Sequence, residues 1–342
     1  INKDTALTTP AIDPAPANAF FWLSIEGDID QAGAGEYVEI YDMAMVGTDL
    51  YVFGTFVRIG GKKILSVAKY DTVTQVWSSL GRTTFITDNG LGGIALDTVN
   101  NVLYFSGDRG VFNPTGAPLV KYVIATKTWT DIGTFDATVF KVYYYGGVIY
   151  YGGDFVIANG APGDYIAKYT ISSGLHASIG GQLNDTVTAL LVVNGVLYVG
   201  GRFTNADGIA TADKIAAYTI NTNTWSSIGG NLTQPVQSIN HYDGKLYVNS
   251  GGLKIYNIAS GTWTNTSTGG TILTITSDGL AYLGAVSNTG ALRQYRISNG
   301  EETTVTTELD GSRNFGALLY YGGKLYCGVD DKNSKFMGVF IP

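Results

Sequence analysis

Residues 186–201 read TVTALLVVNGVLYVGG, and the same stretch continues with KIAAYTI at 214–220 and TWSSIGG at 224–230. Asn194-Gly195 lies between two apolar runs, and a two-residue hairpin needs positive φ at both turn positions, so the first two runs are paired strands. Two further short runs separated by turn residues complete four antiparallel strands, a to d, in one compact unit. No stretch shows the period near 3.6 of a helical repeat.

The unit recurs along the chain. Strand b reappears as LYVFGTF (50–56), LYFSGDR (103–109), IYYGGDF (149–155), LYVNSGG (246–252), AYLGAVS (281–287) and LYCGVDD (325–331), with its tyrosine at 51, 104, 150, 198, 247, 282 and 326. Strand d opens on Trp22, Trp77, Trp129, Trp225 and Trp263, and His176 takes the slot in LHASIGG. Strand c ends on Tyr70, Tyr122, Tyr169, Tyr218, Tyr256, Tyr295 and Phe340. Turn dipeptides Gly146-Gly147, Asp243-Gly244, Asp278-Gly279 and Gly322-Gly323 occupy the place of Asn194-Gly195. A four-stranded unit repeated at this spacing is one blade of a propeller.

The last unit stops after strand c at Pro342, whereas FFWLSIEG at 20–27 is a strand d with no blade before it. We therefore expect an all-β, seven-bladed β-propeller of four-stranded blades, closed by an N-terminal strand that completes the last blade. Such closure removes the free sheet edge that invites aggregation. One domain, residues 19–342, follows from the unbroken repeat; residues 1–18, with three prolines among Thr and Ala, read as an extended tether. They lack the cationic start and apolar core of a signal peptide.

Composition narrows the function. Charged residues are 14% of the chain, the net charge is −7 and Lys and Arg are scattered, which argues against a nucleic-acid surface. No apolar run reaches the length of a membrane span. A single cysteine, Cys327 in strand b, excludes an internal disulfide framework and reads as a small buried thiol. The low-charge, Thr- and Gly-rich composition is of the kind found outside cells, giving an extracellular, cell-surface, appendage or virion location as the expectation.

A strand b ending in Gly-Gly, a tyrosine in strand c and a tryptophan opening strand d resemble the kelch repeat and the galactose-oxidase-like propellers related to it. The glycine pair is intact at Gly152-Gly153 and Gly200-Gly201. The resemblance covers nearly the whole chain and implies architecture above all, because such propellers serve as binding modules, structural proteins and, less often, enzyme scaffolds. The copper centre of the galactose oxidase type uses two histidines, two tyrosines and a cysteine cross-linked to one tyrosine. Here His176 replaces an outer-strand Trp and His241 lies in strand a, so the pattern is not met. The Asp boxes of sialidases are absent.

Strand direction places the b–c and d–a loops on one face and the a–b and c–d turns on the other. The long b–c loops, 57–65, 110–118, 156–163 and 204–211, make the first face the expected binding face, since function is usually carried on variable loops of a rigid scaffold. Four residues after each repeat tyrosine stand Thr55, Asp108, Asp154, Arg202, Gly251, Val286 and Asp330, one frame with changing chemistry. Asp108, Arg109, Asp154, Tyr165, Arg202, Asn205, Asp207 and Asp330 are thus the candidate ligand-binding residues, and no catalytic residue is assigned. The structural alternative is that the acids bond loop amides, or that Asp154 pairs with Arg202.

No cofactor is required by any motif. Asp28, Asp30 and Glu36, and Asp330, Asp331 and Asn333, offer oxygen ligands to Ca²⁺ at short spacing, without the EF-hand pattern. The expected role is a non-catalytic binding or structural propeller that recognises a glycan or protein at a surface, or joins neighbouring subunits of an assembly. The alternative is a carbohydrate-active hydrolase or lyase using loop carboxylates.

Overall fold

A computed structural model describes residues 19–21, 39–56, 58–81, 92–108, 117–180, 182–229, 232–266, 269–270, 272–284, 292–306, 314–330 and 337–341. Six blades are each made of four consecutive antiparallel strands, spanning 39–79, 93–131, 139–178, 187–227, 238–265 and 272–306. Blade 4 is representative, with strands Val187–Val193, Val196–Gly201, Ile215–Thr219 and Thr224–Ser227. In blades 1 and 3 the b–c loop carries an additional two-stranded hairpin.

The expectation of seven blades is thereby corrected: six blades are each built of four consecutive strands, and the last repeat supplies only three strands, to a composite sheet. The composite sheet takes Asn314–Tyr321, Lys324–Asp330 and Met337–Ile341 from one end of the chain and Ala19–Phe21 from the other. Its register is Ala19↔Ile341, Phe20↔Phe340 and Phe21↔Val339. The first strand of each of the six blades touches its counterpart in the next, and Asn314–Tyr321 of the composite sheet closes the circuit by meeting both Ile272–Ile275 and Glu39–Val46.

The core follows from this arrangement. A strand covered on both faces shows no in–out alternation, and the middle of strand b is buried without alternation in each of the six blades, as in Asp49–Thr55 and Leu280–Gly284. The buried apolar side chains fall into clusters that each lie between adjacent sheets. One joins Tyr150 of blade 3 to Val199 and Trp225 of blade 4; another joins Ala317 and Tyr326 of the composite sheet to Ile40 and Leu50 of blade 1. Cys327 is fully buried between blade 6 and the composite sheet, and burial pushes its thiol far above the ordinary range.

The Gly-Gly pair that ends strand b has a steric cause at each position. A Cβ on Gly152 would stand 2.4 Å from Val187 Cγ1 of the next blade, one on Gly200 2.4 Å from Val236 Cγ1, and one on Gly328 2.5 Å from Ile40 Cβ. The first glycine thus admits the β-branched residue of the following sheet. A Cβ on the second glycine would meet backbone of its own blade: Thr138 O at 2.0 Å from Gly153 and Thr186 O at 2.1 Å from Gly201. Strand a is bulged at that point in blades 1, 3 and 4, where its register with strand b shifts by one residue.

The repeat tryptophans tie neighbouring blades. Trp129 Nε1 donates to Leu80 O at 2.8 Å, Trp225 Nε1 to Gly180 O at 3.0 Å and Trp263 Nε1 to Ile228 O at 2.9 Å, each acceptor lying just past strand d of the preceding blade. Each ring also rests against its strand c tyrosine, with centroids 4.7–5.2 Å apart. His176 in the same slot packs on Phe135, Tyr151 and Tyr169, and its Nδ1 lies 2.7 Å from Tyr151 Oη. Burial lowers its pKa and so favours the neutral ring in this packed slot.

Candidate functional site

The loops after strand b do not vary freely. In blades 1, 3 and 4 the second glycine is followed by a surface residue and a buried phenylalanine: Gly54-Thr55-Phe56, Gly153-Asp154-Phe155 and Gly201-Arg202-Phe203. Each phenylalanine carbonyl accepts the amide of the residue that begins strand c's approach, Ser66, Tyr165 and Lys214, at 2.9, 2.9 and 2.8 Å. Those three residues all have left-handed φ, at 63°, 69° and 63°. Between the anchors the chain makes a small hairpin. Arg58–Ile59 pairs with Lys62–Lys63, Ile157–Ala158 with Ala161–Pro162, and Ala206 bridges Ile209. The tips are Gly60-Gly61, Asn159-Gly160 and Asp207-Gly208, with positive φ throughout, the geometry of a type I′ turn.

One frame therefore carries three chemistries. The blade 1 hairpin presents Arg58, Lys62 and Lys63; the blade 3 hairpin presents Val156 and Ile157, 46% and 48% exposed; the blade 4 hairpin presents Asn205 and Asp207. The loops are also pinned to the d–a segments beneath them. Asp136 Oδ1 accepts the amides of Val156 and Ile157 at 2.9 Å each, and Asn184 exchanges hydrogen bonds with the Thr204 amide and hydroxyl at 2.8 Å. Asn205 Oδ1 accepts Gly208 N at 2.8 Å, so its carboxamide holds its own turn.

The residues four places after the repeat tyrosines mark the inner rim of this face. Asp108 Oδ1 accepts Thr138 Oγ1 at 2.9 Å, and the amides of Asp154 and Arg202 donate to Thr138 O and Thr186 O at 3.2 and 2.9 Å. The Arg202 side chain is exposed and forms no ion pair with Asp154; the pairs among the described residues are Lys69–Asp49, Lys214–Asp213 and Arg293–Glu302. Asp154 is the electrostatic exception on the rim. Desolvation raises its pKa, and the nearby carboxylates of Asp108 and Asp136 push the same way, against hydrogen bonds from the Thr138 and Asp154 amides. Its Oδ1 is buried with no hydrogen-bond partner.

Asp97 shows the contrary case. It is fully buried, and burial alone would raise its pKa, but Asn100, Val99 and Tyr144 donate to it and hold the carboxyl below its usual range. Asp154 lacks such a set of donors. Its neutral form is favoured in the folded protein, so it costs stability as pH rises from the ordinary carboxylate range through its raised pKa, and the cost is complete above that. Asp154→Asn removes the charge while keeping the size and shape of the side chain, and is expected to stabilise the fold at pH 7. Melting at pH 7 and pH 3.5 checks this: the gain should vanish at the lower pH, and an equal gain at both would mean that charge is not its cause.

Between blades 3 and 4 the same face holds a polar cavity of about 370 Å³, lined by Asp164, Ser178, Gly180, Gln182, Asp207 and Gly208. Asp164 and Asp207 both have left-handed φ, and neither carboxylate has a hydrogen-bond or ion-pair partner among the described residues. Ser178 belongs to a repeated Ser-x-Gly step after strand d, in which the hydroxyl accepts the glycine amide: Ser79 and Gly81 at 3.1 Å, Ser178 and Gly180 at 3.1 Å, Ser227 and Gly229 at 3.0 Å.

Of the candidate residues, the structure brings Asp207 to the cavity wall, Asp108, Asp154 and Arg202 to the inner rim, and Tyr165 into partial burial against the blade 3–4 core. Asp330 ends its strand opposite Asn314. Arg109 and the acidic stretches at 28–36 and 331–333 lie outside the described residues, as does most of the blade 2 loop. Sequence reading missed Asp164, Ser178 and Gln182. Asp164 stands just before the left-handed residue that precedes strand c, as Asp213 does in blade 4, and that parallel was the available signal. No cluster of His, Cys, Asp or Glu suited to a metal ion occurs among the described residues, and none of their helices is long and apolar enough to cross a membrane.

No protein-family model matches the sequence, and no curated protein matches it either. The fold has many solved counterparts. The chain is similar to a computationally designed protein, Ika8, at 14% identity and TM-score 0.57, covering 90% of this chain and 98% of that one. It is similar to a chain in the crystal structure of the Mitotic Checkpoint Complex at 13% identity and TM-score 0.63, covering 100% and 98%. It is also similar to the WD40 β-propeller domain of Doa1 at 11% identity and TM-score 0.60, covering 89% and 93%. At these identities the likeness is one of fold, and with the sheet topology it establishes a β-propeller whose repeats no family model, kelch or other, describes.

Proposed function

We propose that this propeller is a non-catalytic recognition module that binds its partner through the face built by the b–c and d–a loops of blades 1 to 4. The observation that carries the reading is the repeated hairpin: one rigid frame in blades 1, 3 and 4 displays basic, apolar and acidic side chains in turn. A scaffold that holds geometry constant while chemistry changes suits recognition. The partner is a protein or a glycan, and display at a cell, appendage or virion surface is the setting we favour from composition. The solved counterpart in a protein complex supports a protein partner. Asp164 and Asp207 on one cavity give the hydrolase alternative its specific ground, since glycoside hydrolysis needs two carboxyls flanking the bond.

Arrays of glycans and of peptides, with an assay for released reducing ends, test the reading. Retention without product is expected, and it should be lost when the tips Asn159-Gly160 and Asp207-Gly208 are lengthened by inserted glycines. Retention that survives this change would place binding elsewhere and overturn the proposal; product release would favour the hydrolase.

A further inference from the structure

Val156 and Ile157 are adjacent in sequence, half-exposed and rigidly presented, whereas the other exposed large apolar residues among the described ones, such as Val73, Val99 and Leu175, lie at the a–b and c–d turns of the opposite face. Both of their amides are fixed to Asp136, and the hairpin behind them is locked by Asn159 N to Thr134 O at 2.6 Å and by the Phe135–Ala158 bridge. The cavity adjoins them directly, because the Asp164 amide donates to Val156 O at 3.3 Å. Apolar knob and carboxylate-walled cavity are thus two parts of one surface.

The electrostatics of this sector select the occupant. The d–a loops that enter and leave blade 3 and the b–c loops of blades 3 and 4, residues 132–138, 179–186, 154–165 and 202–214, contain six carboxylates, at Asp136, Asp154, Asp164, Asp185, Asp207 and Asp213. Against them stand Arg202 and Lys214, and the Lys214 ammonium is held by Asp213 at 2.8 Å. Anions are repelled from such a sector and cations concentrated in it. A cavity of about 370 Å³ with Ser178 and Gln182 beside two carboxylates that have no partner among the described residues has room for the head of a lysine or arginine side chain and hydrogen-bond acceptors for it.

We infer that blades 3 and 4 dock an extended, cationic segment of a partner protein, with one Lys or Arg side chain in the Asp164–Asp207 cavity and a neighbouring apolar side chain on Val156 and Ile157. The inference rests on the recognition reading above and narrows it to a protein partner of basic and apolar character. Charge steers the encounter and sets specificity, while the apolar contact supplies desolvated area at the centre of the interface.

Three fluorescein-labelled nine-residue peptides test it by anisotropy with the full chain at 50 and 150 mM salt. One carries Arg and Lys around a central Leu, one has Glu in place of the cations, and one has Ser in place of Leu. The first should bind at least tenfold more tightly than either other, and more weakly at the higher salt. The double variant Asp164→Asn/Asp207→Asn keeps side chains that tolerate left-handed φ and should weaken the first peptide at least tenfold with unchanged melting. Val156→Ser/Ile157→Ser, both at exposed positions, should erase the preference for Leu over Ser. Equal binding of all three peptides, no binding of the first, or indifference to the Asp variant would overturn the inference. Glycan retention through the same loops without peptide binding would sink this inference alone and leave the recognition reading standing.

Discussion

Gly153→Ala should destabilise the protein by on the order of 3 kcal/mol or more, a cost typical of overpacking where the surroundings cannot yield. The added methyl would lie 2.0 Å from Thr138 O and 3.0 Å from Val139 Cα, both backbone atoms of the bulged inner strand. Relief would require moving strand a, which packs simultaneously on blades 2 and 4. It would also strain the Asp154 amide bond to Thr138 O that sets the rim. Gly195→Ala supplies the comparison: that residue has φ 79° at a turn tip, with nothing within 4 Å of an added Cβ. Only the left-handed backbone opposes it, at roughly 1–2 kcal/mol. Urea melts of the two variants should show Gly153→Ala as the more destabilised; the reverse order would mean that the close approach is not what maintains the glycine.

Deleting residues 1–21 is expected to drive further self-association or to remove cooperative melting. The segment Ala19–Phe21 is the outermost strand of the composite sheet, and without it Met337–Ile341 becomes an unpaired edge. About three ladder hydrogen bonds at roughly 1 kcal/mol each are lost, a large part of a typical stability of about 5–15 kcal/mol. The exposed edge is then a template for a second chain. Size-exclusion chromatography with light scattering, together with calorimetry, reads both effects. A truncated chain that keeps the full chain's mass in solution and melts unchanged would show that Ala19–Phe21 is dispensable for closure. Adding back a peptide of residues 1–27 should restore the solution mass and melting of the full chain.

Much of this architecture was legible in the chain because a propeller is a one-dimensional repeat wrapped into a ring. Each turn dipeptide, each strand b tyrosine and each strand d tryptophan is decided by contacts within a blade or to the next one, so it recurs in sequence at blade spacing. The pairing of the two termini was legible for the same reason: three strands at one end and one at the other make a single unit. The glycine pairs were visible as a motif, but their cause was not, since Val187, Val236 and Ile40 approach them from neighbouring sheets.

The site was less legible. The rim residues Asp108, Asp154 and Arg202 could be found because they keep step with the tyrosines, whereas the cavity joins Asp164 and Ser178 of blade 3 to Asp207 of blade 4, residues with no fixed spacing between them. The b–c loops read as variable stretches because their side chains differ; their shared hairpin lies in backbone geometry, in the buried Phe56, Phe155 and Phe203 and in the left-handed residues 66, 165 and 214. The sequence by itself determined the strands, the turns, the repeat and the closure, because these depend on local φ/ψ preference and on apolar patterning of single segments. Only the tertiary structure decided which loops share a frame, which carboxylates are left unpaired and which face carries a cavity, because those properties depend on distances between residues that ring closure, not chain order, brings together.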